Sequence, residues 1–318
     1  MKKIITLLVF FCISNSFSKD FLEVDEIVKK YPSKVQNLEI ISNLIKKDFT
    51  DDSEKARAVY SWIAFNIEFD VAAAFSMKGP SDMAFSYRDE KEKKAKEIKF
   101  KETIISKALL SGKAICHGYS MLFERLSKLV GLESEIIIGN LKSDPSQIGQ
   151  VNLATDHAWN AVKINNVWKF VDTTLGAGYV SQKDDSFKPD FNDSYFFISA
   201  DDLFLNHYPE DKKWITINKS KQDFSKLPVY YRDYFKGNYK ISPELGIISS
   251  SATNFHLEIK NLGEYDNAEY IFSSDNKLTY LNNENKETQF DIPLSGKSGD
   301  YLTIYVNRKI MVTYLVSR

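Results

Sequence analysis

Cysteine is nearly absent from this 318-residue chain, which contains only Cys12 and Cys116. Cys12 lies in a short apolar run, Ile4 to Ile13, preceded by Lys2 and Lys3 and followed by the small residues Ser16 and Ser18. This reads as an export signal over 1–18, cleaved after Ser18 to leave a periplasmic or secreted protein; the run is too short to span a bilayer. Phe10-Phe11-Cys12 lacks the small residues of a lipid-attachment site, so Cys12 is expected to leave with the leader. An exported chain with one remaining thiol has no internal disulfide. That thiol is an intermolecular link, a buried bystander or a reactive group.

Other scarcities narrow the reading. No later stretch is apolar enough to cross a membrane. The formal net charge is -1, about -3 once Lys2 and Lys3 are lost, so no basic excess points to nucleic acid and no acidic tail to a cationic partner. Four histidines and one thiol show no metal-ligand spacing, and neither a glycine-rich phosphate loop nor a GxSxG elbow is present. No metal and no cofactor are therefore expected. With 43% hydrophobic and 27% charged residues, the chain has the composition of a globular protein and the length for two modest domains.

The first third reads as helical. Ser33 is a candidate cap for a helix carrying Val35, Leu38, Ile41, Leu44 and Ile45, and Asp51 to Ser53 offer caps for the next. Residues 78–101 stand apart: Gly79-Pro80 breaks the chain, and Arg88 to Lys101 is dense in alternating charge, expected to be a solvated helix or insertion; a lid beside the cleft is the sharper alternative. A short helix through Ile104 and Ala108 ends at Ser111-Gly112. Cys116 then opens another, with Tyr119, Leu122, Phe123 and Leu126 inward and Gly131 at its end. Strands follow at Glu135 to Gly139, Ala158 to Ile164 and Val167 to Val171, the last two joined by Asn165-Asn166, which tolerate the positive φ of a tight turn. After about 238, alternation such as Phe255, Leu257, Ile259 and Leu302, Ile304, Val306 predicts an Ig-like β-sandwich over 239–318, following a cysteine-nucleophile domain over 19–238.

Three residues carry chemistry. Cys116 sits at a helix start, where the macrodipole and unpaired amides stabilise a thiolate and can bind an oxyanion. Counting outward from Asn165-Asn166 pairs Trp159 with Asp172, which puts His157 and Asp172 on one face of adjacent strands. Asp172 is then expected to accept the Nδ1 proton of His157, leaving Nε2 for the thiol. Taken singly, each residue has a bland reading as a core cysteine or a satisfied strand polar group; order, helix-start placement and register together favour a nucleophilic site. His117 is set aside because successive helical residues do not share a face. His207, which precedes Tyr208-Pro209, and His256, on an exposed strand phase, are set aside as well.

These residues also carry a resemblance. Ala114-Ile115-Cys116-His117-Gly118-Tyr119, Asp156-His157-Ala158-Trp159-Asn160-Ala161-Val162 and Trp168 to Gly178 resemble the transglutaminase-like superfamily, in particular its kyphoscoliosis peptidase-type branch. Ala58 to Asp70, Tyr195 to Ile198 and His207 to Trp214 are similar to the same branch. The resemblance implies an α+β papain-like core, helices packed on an antiparallel sheet, with Cys116, His157 and Asp172 as catalytic triad. Phe69 and Leu175 stand where that family commonly has Tyr and Trp, and no segment resembles its calcium-binding regions. The implied substrate is a protein or peptide amide, taken through a thioester to hydrolysis as protease or amidase. Transamidation of glutamine, a catalytically silent scaffold and a Cys116-linked dimer are the alternatives.

Overall fold

The computed structural model describes residues 21–76, 86–181, 183–249, 251–275, 277–281, 288–294 and 298–317. The leader and Gly79-Pro80 lie outside the described residues. Among these residues, no helix is long and apolar enough to cross a membrane.

Three helices come first: α1 (Leu22–Val28), α2 (Leu38–Asp48) and α3 (Asp52–Asn66). Asn37, not Ser33, caps α2: its side chain accepts from the Ile40 amide, so the helix begins four residues later than the apolar spacing suggests. Asp51 caps α3, accepting from Ser53 and Glu54. The two-residue strand β1 (Glu68–Phe69) follows, then α4 (Val71–Ser76). The charged stretch and the short helix expected after it form one continuous helix, α5 (Glu90–Ser111), capped by Asp89 and ended by Gly112 at φ 68°. Its exposed i,i+4 pairs, Arg88–Glu92 and Lys96–Glu92, suit a solvated face.

Strand β2 (Lys113–Ala114) pairs in parallel with β1, and α6 (Cys116–Leu129) begins two residues after it. Leu122, Phe123 and Leu126 on α6 are fully buried, each stabilising the fold by about 1.5–3 kcal/mol. Strands β3 (Ser134–Leu141), β4 (His157–Ile164) and β5 (Val167–Val171) lead into α7 (Thr173–Ala177), the hairpin strands β6 (Gly178–Ser181) and β7 (Ser186–Pro189), β8 (Phe196–Ile198) and β9 (His207–Pro209). The central antiparallel sheet runs β8-β5-β4-β3-β9. Asn165 and Asn166 adopt φ 50° and 63°, and Ile164 pairs with Val167 as their turn requires.

The remaining strands build two further sheets. One has six strands, with Lys309–Ser317 between Val229–Tyr230 and Tyr301–Val306; the other is formed by Lys240–Ser242, Asn254–Lys260 and Gln289–Pro293. Their inner faces share a core that includes Leu257, Ile259, Ile292, Ile304 and Tyr314. None of these strands joins the central sheet. Lys142 and Arg232 are among the side chains that link the regions, as is Lys240, which donates to Asp202 at 3.1 Å. Lys142, fully buried after β3, donates to the backbone carbonyls of Phe224, Ser225 and Leu227. Arg232 donates to the carbonyls of Leu175 and Gly178.

Candidate active site

Chain order and hydrogen bonding bring Cys116, His157 and Asp172 to one end of the central sheet. Cys116 is the first residue of α6, and the opening amides of a helix lack intrahelical acceptors. His157 is the first residue of β4. Asn160, three residues further along β4, donates to the Ser120 carbonyl at 3.1 Å and so ties this strand to the first turns of α6. Asp172 follows the last residue of β5; its Oδ1 caps α7 by accepting from the Leu175 amide at 2.9 Å, which leaves Oδ2 for the imidazoles.

His157 Nε2 lies 2.6 Å from Asp172 Oδ2, with Asp172 wholly buried. The expected face is correct, but the nitrogen is the other one. Nε2 meets the carboxylate, and Nδ1 is the ring nitrogen left for the thiol. Both residues are buried, which alone would favour their neutral forms. For His157, the Asp172 charge, the hydrogen bond to it and the nearby thiol outweigh burial and raise it to about 10. For Asp172, the two imidazoles outweigh burial and hold it well below the usual carboxylate range. Burial likewise pushes the Cys116 thiol up, but hydrogen bonds from His117 and His157 and the charge of both rings bring it down to about 6. Near neutral pH this favours a thiolate–imidazolium pair.

Two histidines set aside from the sequence join the site. His117 Nδ1 lies 3.6 Å from Cys116 Sγ. Helical periodicity does not forbid the contact, because both residues are in the first turn of α6. His207, on the edge strand β9, places Nε2 2.9 Å from the same Asp172 Oδ2. Trp159 packs beside both rings, with centroids 5.9 Å from His157 and 4.9 Å from His207. Gly139, opposite His157 on β3, permits this closeness: a Cβ there would lie 2.7 Å from Trp159 and 2.2 Å from the Tyr208 carbonyl. His256 is remote, exposed and paired with Asp291.

His157, Asp172 and His207 offer three ligand atoms within 4.8 Å of one another. As placed, both Nε2 atoms are at hydrogen-bond distance from a single oxygen. Metal bonds of about 2.0–2.2 Å would require all three side chains to open around an ion.

Cys116, His117 and His157 line a cavity of about 490 Å³. Its other walls are mainly apolar and include Ile115, Leu141, Val180 and Phe187, with Asp156 as the one carboxylate among the described residues. Phe69 and Leu175, the two departures from the family pattern, line it as well. The charged segment of α5 does not.

Comparison with known proteins agrees with this geometry. Residues 41–173 match the family model described as the transglutaminase-like superfamily, a span containing Cys116, His157 and Asp172 and ending before His207. The chain is 30% identical over 234 residues to human kyphoscoliosis peptidase, covering 72% of this chain and 32% of that protein. It is 24% identical over 234 residues to hillarin of Drosophila melanogaster, covering 68% and 26%. A solved structure described as a TGase aligns over 58% of this chain and 39% of its own at 17% identity, with a TM-score of 0.29, too loose a superposition to carry weight. The chain thus spans about a third or less of the length of these curated relatives. Residues 41–173, which hold Cys116, His157 and Asp172, are therefore a domain of the transglutaminase-like superfamily.

Proposed function

We propose that the protein is a cysteine-dependent acyl-transfer enzyme that hydrolyses peptide or side-chain amides through a thioester on Cys116. The observation that carries this reading is the thiol's setting: a cysteine at a helix start, on the wall of a cavity, with two imidazoles that hold it as thiolate despite burial. In this mechanism Sγ attacks the amide carbonyl and the C–S bond forms. The free amides at the start of α6 face the oxyanion. His157 donates its Nδ1 proton to the leaving amine as the C–N bond breaks. It then takes a proton from water, which attacks the thioester and releases the acid and the thiol. Asp172 holds Nε2 throughout and keeps the ring oriented.

Hydrolysis is preferred to transamidation because, among the described residues, the cavity wall offers one carboxylate, Asp156, and that group already accepts from the Leu141 amide at 2.9 Å. No free anion is therefore evident there to hold an incoming amine. The name of the human relative, a peptidase, supports the same choice. The test is a glutamine-containing peptide with excess primary amine, both products followed by mass spectrometry. Cleavage or ammonia release without adduct, absent in Cys116→Ala, is expected. A Cys116-dependent amine adduct as major product would make the protein a transamidase, and no product of either kind from a broad peptide set would favour a silent scaffold. Export is part of the same proposal, on Lys2, Lys3 and the Ile4 to Ile13 run; N-terminal sequencing of the mature protein checks it, and an intact Met1 would reject it.

A further inference from the structure

We propose that His207 is a positioning residue of this site: a second imidazole that fixes the Asp172 carboxylate and moderates its hold on the proton of His157. This rests on the triad reading above. The triad does not use His207, yet its side chain is as fully buried as that of Asp172. Its Nε2 donates to Asp172 Oδ2 at 2.9 Å, the same oxygen that His157 Nε2 approaches at 2.6 Å. Its Nδ1 lies 2.6 Å from the Asn206 side-chain amide, whose far end lies 3.2 Å from Tyr195 Oη. Burial lowers the pKa of His207 and keeps the ring neutral, so Nδ1 accepts from the amide N–H while the amide oxygen accepts from the Tyr195 hydroxyl. Tyr195 returns to the start, because its backbone carbonyl accepts from the Asp172 amide at 3.0 Å. The four residues form a closed hydrogen-bonded ring, and Asp172 is held in it through both backbone and side chain.

Sharing one oxygen between two N–H donors has an electrostatic result. Each donor draws on the same negative charge, so His157 feels a weaker carboxylate than it would alone. His207 thus has two effects that separate in experiment: it fixes the position of Asp172, and it limits the basicity conferred on His157. The other titratable groups around the pair are Cys116 and His117 on α6, Asp156 before β4, the phenols of Tyr60, Tyr119 and Tyr195, and Arg232. Among the described residues, only the two imidazoles hydrogen-bond Oδ2.

The experiment follows alkylation of Cys116 by iodoacetamide against pH in the full chain, which needs no substrate. The wild type is expected to show two transitions, thiolate formation near pH 6 and imidazolium loss near pH 10. In His207→Leu the upper transition is expected to rise by about one pH unit, a tenfold change in the ionisation constant. His207→Gln, whose amide nitrogen can stand in for Nε2, is expected to restore the wild-type position, whereas the shorter His207→Asn follows Leu. If Leu fails to fold, the Asn–Gln pair decides. An upper transition unmoved in both Leu and Asn, or moved as far in Gln, overturns the role of His207 while leaving the triad intact. A wild-type thiol titrating once, near the ordinary value of about 8.5, overturns the triad and the role of His207 with it.

Discussion

Alanine at His157 is expected to raise the lower midpoint of Cys116 alkylation by about 1.5 pH units, and alanine at His117 by a similar amount. The magnitude follows from the site. Burial acts against the thiolate, yet hydrogen bonds and charge from the two imidazoles bring the thiol from 9.0 to about 6. Shared between two rings, the net lowering is about 1.5 pH units each, or about 2 kcal/mol, which is the least each ring supplies because the two also offset the burial. Removing both leaves a buried thiol without a counter-ion, so the double variant is expected to titrate above an ordinary cysteine. Midpoints must be measured across the whole pH range. At pH 6.5 a single variant loses roughly eightfold in thiolate fraction, but its more basic thiolate is roughly fivefold more nucleophilic, and the two nearly cancel. Alkylation read by mass spectrometry from about pH 5 to 10 resolves the midpoints. A wild-type midpoint near that of a free thiol, or single variants that titrate with the wild type, would refute the reasoning.

Three further outcomes are expected. The kcat/KM of amide hydrolysis should be bell-shaped between about 6 and about 10, because acid protonates the thiolate and base removes the imidazolium proton needed by the leaving amine; a profile with no acid limb near pH 6 would remove Cys116 from the ion pair. Gly176→Ala places a Cβ 2.0 Å from the Tyr60 hydroxyl, which donates to the Asn192 carbonyl, and should cost about 2–4 kcal/mol in urea unfolding; an unchanged unfolding midpoint would show that α7 yields freely. We also propose a domain boundary near 238, with Val229–Tyr230 a strand contributed from the first domain to the sheet of the second. A fragment beginning at 226 should therefore melt higher than one beginning at 239, and equal melting temperatures would mean that the short strand adds nothing.

Local signals in the sequence reached the core of the site. The helix start at Cys116 was legible from the Ser111-Gly112 break and the apolar spacing behind it. The register of β4 on β5 was legible from Asn165-Asn166, because a two-residue turn fixes every later pair. What depended on distant chain was not legible. His207 reaches Asp172 from an edge strand 35 residues on, and no period links the two. The choice of Nε2 over Nδ1 depends on which side of the ring the carboxylate occupies, which the strand register alone does not specify. His117 was missed because periodicity describes helix interiors and says little about a first turn. Val229–Tyr230 is too short to alternate visibly, and Asn37 displaced Ser33 because apolar spacing does not distinguish two competing caps.

Lys142 gives the fold a mechanical property. Its neighbours in the chain, Leu141 and Ser143, are part of the cavity wall, while its ammonium grips three carbonyls between Phe224 and Leu227. Two residues after that grip, the backbone enters the C-terminal sheet at Val229. Load on that sheet therefore has a route to the rim of the cavity through this short segment and one buried amine, beside the route that Arg232 offers to Leu175 and Gly178. The rim and the sheet act as the two ends of a short lever with Lys142 as its pin. Hydrogen exchange in the segment after β3 should accelerate in Lys142→Met even though Cys116, His157 and Asp172 are untouched; equal exchange in both proteins would mean that the pin bears no load.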